Sequence, residues 1–267
     1  MAEICIISAS GECIHIDEAR SDRRIDDHAD DRKLKSLIVA ARQAAESKTR
    51  LQLLHARWKL VLNEFPWVIH LPHSPLVRVI SVQYMDMAGA WQTMSATDYA
   101  INSAMTPAIL TPAFGKVWPI PLPQIASVAI TYDAGYASPI ATGGTLATNQ
   151  FRVTGPVTWA AGDRVNFYNS GGVMPAPISM DASYLIATAA SGVYTLTDDA
   201  GAAVVFSQPG TGRTFIGVVP DGIRSWMLLR VGSLHENREE VALLNKGKLE
   251  VLPWVDGLLT PYMTGLA

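Results

Sequence analysis

The run Val128-Ala129-Ile130-Thr131-Tyr132-Asp133-Ala134-Gly135-Tyr136 and the run Val219-Pro220-Asp221-Gly222-Ile223 bracket a segment unlike the rest of the chain. Between them, roughly from Pro139 to Gly217, the chain consists of Gly, Ala, Thr, Val and Ser with few charges. No glutamate occurs between Glu64 and Glu236, and no lysine between Lys116 and Lys246. The two ends, by contrast, are charged and helix-like. This change of composition predicts one domain opened to accept a β-rich insert. The expected division is a discontinuous helical domain, 1–138 plus 218–267, carrying an inserted β-rich domain, 139–217.

Outward from that segment, period-two alternation marks the strands. Val128, Ile130 and Tyr132 share a face. Trp58, Leu60 and Leu62 alternate with Arg57, Lys59 and Asn63. Val77 to Tyr84 reads as another strand, and Asp86 to Gly89 turns it back toward Trp91 to Met94. Together these predict a small antiparallel sheet, with the first 13 residues as an extended arm. Inside the insert, Arg164-Val165-Asn166-Phe167 alternates, and Tyr184-Leu185-Ile186 and Tyr194-Thr195-Leu196 flank the turn signal Ser191-Gly192. Their spacing predicts a compact all-β barrel or sandwich.

Helical periodicity appears at both ends. Asp17 is positioned to cap a short helix through about Arg24. The acids Asp26, Asp27, Asp30 and Asp31 suit the positive end of a long helix. In that helix Leu34, Leu37, Ile38, Ala41 and Ala45 form one face. Pro220 and Asp221 open a last helix whose stripe is Ile223, Trp226, Met227, Val231 and Leu234. Leu228 and Leu229 lie off that stripe, as expected of a helix covered on a second side. The fold class expected is α+β: a small helical bundle made from the long N-terminal helix and the C-terminal helix, a small antiparallel sheet, and the inserted all-β barrel or sandwich.

The totals direct the function away from chemistry. With 267 residues, 49% hydrophobic and 17% charged, the chain is built to fold. A formal net charge of -3 lacks the basic cluster of a nucleic-acid binder. Two cysteines, Cys5 and Cys13, are too few for a disulfide framework, and zinc spacing is absent. The opening residues lack the basic and long apolar parts of a secretion signal, and no apolar run spans a bilayer. The expectation is a chain made in the cytoplasm and kept there until it is assembled.

Each polar cluster lacks part of what a site would need. Asp26, Asp27, His28, Asp30 and Asp31 lack the glycine turn of a calcium loop. The paired glycines lack a P-loop lysine. His70 and His73 have no evident third ligand. His235 and Glu236 offer an acid and a base with no nucleophile. No catalytic residue, metal or cofactor is expected. Apolarity and position instead nominate Leu228, Leu229, His235, Arg238, Trp254, Leu258, Leu259 and Tyr262 as a subunit or portal interface.

Several runs resemble the head–tail connector proteins of tailed bacteriophages. They are Ile16-Asp17-Glu18-Ala19-Arg20 before Asp26-Asp27, Trp58-Lys59-Leu60-Val61-Leu62 with Phe65-Pro66, and Ile69-His70-Leu71-Pro72 with Pro75-Leu76. Val79-Ile80-Ser81-Val82-Gln83-Tyr84, Asp98-Tyr99 and Trp118-Pro119 continue the likeness. Val128 to Tyr136, Val219 to Ile223, His235-Glu236-Asn237-Arg238-Glu239 and Leu258-Leu259-Thr260-Pro261-Tyr262 complete it. The resemblance covers roughly residues 12–138 and 218–263, and departs from the simpler family pattern at the insert. It implies a structural virion protein of the neck that is not an enzyme. Its subunits would form a ring with copies of themselves, commonly twelve, below the portal protein. That ring would extend the channel through which double-stranded DNA passes, and would dock a stopper, tail terminator or other neck protein without touching a membrane. A second reading makes the insert a module for a fibre protein or host glycan, with Trp159, Tyr168, Tyr184 and Tyr194 as aromatic platforms.

Overall fold

The structure is a computed structural model that describes residues 2–8, 12–14, 16–25, 28–136, 138–145, 148–153, 159–170, 172–179, 182–217, 219–236 and 256–263. The fold is α+β with antiparallel sheets. The chain forms two compact units. One is Met1–Ala9 with Arg50–Ala137, and the other is Ser10–Thr49 with Ser138–Ala267.

The first unit contains eight described strands: β1 (Ala2–Ile7), β2 (Ala56–Leu62), β3 (Ile69–Leu71), β4 (Leu76–Met85), β5 (Trp91–Thr93), β6 (Tyr99–Asn102), β7 (Ala108–Pro112) and β8 (Val128–Ala134). Five make a sheet in the order β1-β2-β8-β4-β5, and three make a second sheet, β3-β7-β6. The N-terminal arm is thus an edge strand, antiparallel to β2. One core joins Leu60, Leu62, Val82, Val128, Ile130 and Tyr132 to Ile69, Leu71 and Leu110 of the smaller sheet. The alternation expected for Val128, Ile130 and Tyr132 is the inner face of β8. At the β4–β5 turn the Asp86 carboxylate accepts hydrogen bonds from the Ala88 and Ala90 amides, each at 2.9 Å.

The opposite face of β8 carries a charge. Asp133 is fully buried, and its backbone stands opposite Arg57 on β2 and Arg78 on β4. Arg57 Nε donates to Asp133 Oδ1 at 2.8 Å, and Arg78 Nε donates to Oδ2 at 2.8 Å. His55 Nε2 lies 3.6 Å from Oδ1. Burial alone would push this carboxyl up. The contacts with His55, Arg57 and Arg78 outweigh it and hold the group well below the usual carboxylate range. One anion therefore ties three adjacent strands in register.

The second unit contains a closed barrel of six strands: β9 (Ser138–Thr145), β10 (Gln150–Val153), β11 (Arg164–Ser170), β12 (Ser183–Ala190), β13 (Val193–Thr197) and β14 (Arg213–Gly217). Their order is β10-β13-β12-β11-β14-β9, and closure removes free sheet edges. Ser138 at the start of β9 is paired with Ile216 near the end of β14, so the segment begins and ends side by side. Ser191 and Gly192 both have positive φ, 52° and 76°, the conformation of a two-residue hairpin turn. Phe151, Val165, Phe167, Tyr184, Ile186, Tyr194 and Leu196 fill the interior.

The same unit holds three helices among the described residues: α1 (Ile16–Arg23), α2 (Asp31–Thr49) and α3 (Asp221–Glu236). α2 buries Leu34, Ile38, Ala41, Ala45 and Thr49 and packs against α3, which buries Ile223, Trp226, Met227, Val231 and Gly232. Leu37 and Leu234, expected in those stripes, are only half-buried. Asp17 lies inside α1 rather than ahead of it, and α2 begins at Asp31. Arg224 Nη2 donates to both carboxylate oxygens of Glu18 at 2.6 Å, tying α3 to α1. Gly232 gives the Arg23 guanidinium room, because a Cβ at that position would collide with it. Cys13 is buried, which pushes its thiol far up and leaves it inert, while Cys5 is exposed.

Asp133→Asn should destabilise the chain by about 3 kcal/mol, because two guanidinium groups lose their anion. A depressed carboxyl stabilises the fold above its unfolded value, near 4, and loses that effect as pH falls toward its folded value. Denaturant titrations should therefore show the full gap between wild type and variant at pH 7, narrowing below about pH 4. Gly135 has φ 131°, and a Cβ there would stand 2.6 Å from the Leu54 carbonyl oxygen. Gly135→Ala should cost about 2 kcal/mol or more, read as a lowered denaturation midpoint.

Candidate assembly surfaces

α3 and the C-terminal segment meet at one carboxylate. Asp256 accepts a hydrogen bond from Trp226 Nε1 at 3.1 Å and an ion pair from Lys48 Nζ at 2.7 Å. Lys48 Nζ also lies 5.6 Å from the centre of the Trp226 ring. The Lys48 contact, then the indole, lower the Asp256 carboxyl below its ordinary value. Beyond it a 3-10 turn, Thr260–Tyr262, brings the Tyr262 ring over Gly222 at the start of α3. The C-terminal segment is thus docked on its own helix.

The nominated interface residues divide accordingly. Leu229 is on the exposed side of α3, with 36% of its surface accessible. Leu228, Leu258 and Tyr262 are half-buried. Leu259, expected on a docking surface, is fully buried, so its side chain is already covered within the chain. His235 Nε2 stands 3.2 Å from Asp30 Oδ2, and Lys33 Nζ donates to its carbonyl at 3.2 Å. Arg238 and Trp254 lie outside the described residues. Leu228 also lines an open cleft of about 560 Å³ with Glu18, Ser21, Asp22, Arg164 and Asp199. The charges there are already matched within the chain, Glu18 to Arg224 and Asp199 to Arg164 at 2.8 Å.

The polar clusters weighed for chemistry are tied up in the same way. Asp26 and Asp27 lie outside the described residues. The His28 ring contacts Arg20 at 2.6 Å and Asp31 at 3.1 Å. His73 stacks on Trp58 with ring centres 3.6 Å apart and contacts Glu3 at 3.1 Å. Glu236 receives Arg23 at 3.3 Å. Among the described residues, no group of three or more His, Cys, Asp or Glu is placed to hold a metal ion, and no helix is long and apolar enough to cross a membrane. Trp159, Tyr184 and Tyr194 belong to the barrel core rather than to an aromatic platform, and nothing is described of the Tyr168 side chain.

The first unit holds an apolar surface that periodicity did not find. Between β7 and β8, Phe114, Val117, Ile120 and Ile125 are 107%, 78%, 82% and 82% exposed. Trp67, Met87 and Trp91 are exposed as well. The available signal was the absence of charge: between Asp98 and Asp133, Lys116 is the one charged residue.

Solved structures share this architecture along its whole length. One matching chain is in the virion of a native gene transfer agent particle, with TM-score 0.59 and 16% identity. Another is in the neck of an empty gene transfer agent particle computed with C6 symmetry, at 0.58 and 17%. A third is in the neck of the native particle computed with C12 symmetry, at 0.53 and 16%. Each match covers 100% of this chain and 97% of the other. The chain has the fold of these particle proteins. The likeness therefore runs through the barrel as well as the helices and the sheets. No family model matches the sequence, and no curated protein matches it.

Trp226→Ala should cost about 3–5 kcal/mol, since it empties a buried site and removes one of the two partners of Asp256. Leu229→Glu should change stability by no more than about 0.5 kcal/mol, as an exposed substitution does. Chemical denaturation of the two variants checks both values.

Proposed function

We propose that this chain is a structural neck protein of a phage-like particle, an adaptor that forms a ring below the portal and joins the head to the tail. The observation that carries the reading is the shared fold, matched over 100% of this chain and 97% of chains from gene transfer agent particles, two of them neck structures. The C6 and C12 symmetry of those necks supports a ring of copies, with twelve as the expected number. The resemblance of residues 12–138 and 218–263 to head–tail connectors points the same way. On this reading residues 139–217 are an insertion into a frame of 1–138 and 218–267, and the pairing of Ser138 with Ile216 supports it.

The partners proposed are other copies of the chain, the portal protein, and a stopper, tail terminator or other neck protein. Double-stranded DNA would pass through the ring without specific binding. A formal net charge of -3 suits that passage, because lysine and arginine contacts to phosphate would hold the DNA in place. Leu229, exposed on α3, is the first proposed contact from the second unit, and Leu228, His235, Arg238, Trp254, Leu258 and Tyr262 are the others nominated from the sequence. The chain would work in the virion neck after assembly in the host cytoplasm, without catalysis or a cofactor. The reading of the barrel as a glycan or fibre module loses support, because Trp159, Tyr184 and Tyr194 are core residues.

Native mass spectrometry of the purified chain, alone and with its particle's portal protein, tests this. A defined ring, alone or only on the portal, is the expected result. A monomer indifferent to the portal would contradict the adaptor role.

A further inference from the structure

The segment between β7 and β8, residues 113–126, presents its apolar side chains outward while its backbone is held firmly. The Leu122 amide donates to the Met85 carbonyl at 2.8 Å, and the Lys116 amide donates to Ala113 O at 2.9 Å. Ser127 Oγ reaches the carbonyls of Leu122 and Gln124 at 2.6 Å, and Asn63 Oδ1 receives the Ala126 amide at 3.0 Å. The Trp118 ring stacks on Phe65 with centres 4.8 Å apart, and its N–H donates to Trp67 O at 3.2 Å. Pro119, Pro121 and Pro123 stiffen the chain further. The ordering of this loop is thus complete before any partner arrives, and that lowers the entropy cost of docking. Phe114, Val117, Ile120 and Ile125, all at least 78% exposed, add nothing to the chain's own core. A rigid cluster of this kind is the signature of an interaction surface.

A second apolar surface lies at the β1 edge of the same sheet. The loop spans strand ends, with its Leu122 amide on Met85 of β4 and its Ala126 amide on Asn63 just after β2, while Met85 pairs with Trp91 on the edge strand β5. β1 terminates the opposite side of the order β1-β2-β8-β4-β5. Its Ile4 and Ile6 are 51% and 49% exposed, and Ala2–Ile7 contains neither the lysine nor the proline that usually blunts an edge strand. Charge is sparse on the loop, and at the β1 edge Ile4 stands opposite Lys59 of β2. Lys116 is paired with Asp98 at 3.1 Å, and Glu3, the one charge in β1, contacts His73.

We infer that the loop 113–126, with Met87 and Trp91, of one copy packs head to tail on the β1 edge of the next copy. The inference rests on the ring reading. A cyclic assembly with more than two members needs two different, mutually complementary patches on each chain. The first unit supplies two such patches, the loop with Met87 and Trp91 and the β1 edge, and β5 and β1 terminate the sheet on opposite sides. Two different apolar patches on one unit fit a second copy of this chain.

Two double variants test it: Phe114→Glu with Ile120→Glu in the loop, and Ile4→Glu with Ile6→Glu in β1. All four positions are exposed, so the melting temperature of each monomer should match wild type. Each variant alone should lose ring formation at least about tenfold at a concentration where wild type assembles, alone or on the portal. Mixed in equal amounts, the two should form a 1:1 dimer and stop there, because one intact loop meets one intact β1. A variant that still forms rings, or a mixture that stays monomeric, would overturn the inference and leave the ring reading standing. Wild-type protein that never forms a ring would remove both. Should the β1 variant fail to fold, cross-linking replaces it. Cys5 in β1 is exposed, and a short bismaleimide should join it to Phe114→Cys, Val117→Cys, Ile120→Cys or Ile125→Cys of the next copy as a ladder of oligomers. No ladder at any of the four positions would overturn the inference.

Discussion

Asp133 sits on the central strand of its sheet with no access to water, and two guanidinium groups reach it from the strands on either side. A lone buried carboxylate would be expelled or protonated, so the site exists only if Arg57 and Arg78 arrive opposite it. That condition specifies the register of β2 and β4 on β8. A slip of one residue would turn Asp133 into the apolar layer and Tyr132 out of it. The placement of β1 on β2, of β5 on β4, and of the loop that ends at β8 follows from that register. The exposed apolar surface is therefore carried on a rigid base.

The second unit solves a different problem. A segment from Ser138 to Gly217 closes on itself, with its first and last strands paired, so its sheet presents no free edge. Three helices share the unit, tied by Arg224 to Glu18, Arg42 to Glu12 and Lys48 to Asp256. These pairs are partly exposed, and each contributes little by itself. α2 packs on α3, which buries Trp226 and Met227.

Much of this was legible in the sequence, for definable reasons. Leu34, Ile38, Ala41 and Ala45 recur at helical spacing, and all four are buried. Ser191-Gly192 announced its hairpin because only residues that tolerate positive φ suit that turn. The strands β9, β10 and β14 were not readable. Ser-Pro-Ile-Ala-Thr-Gly-Gly-Thr has no alternation, and its pairing comes from closure of the barrel. The small sheet β3-β7-β6 was missed because its strands are three to five residues long. Leu259 shows the limit for surfaces: an apolar tail residue reads the same whether it meets its own chain or another. Phe114, Val117, Ile120 and Ile125 show the converse, since exposure depends on contacts that periodicity does not encode.

The fold shared with gene transfer agent particle proteins and the exposed apolar surface of the first unit support the proposed role as a ring subunit of a neck. The most direct test is cryo-electron microscopy of the particle that carries it, with density at the head–tail junction resolved well enough to trace side chains. The expected result is this chain in a closed ring between portal and tail, its sheet and barrel both visible in every subunit. Finding it elsewhere in the particle, or as isolated copies with no ring, would contradict that role.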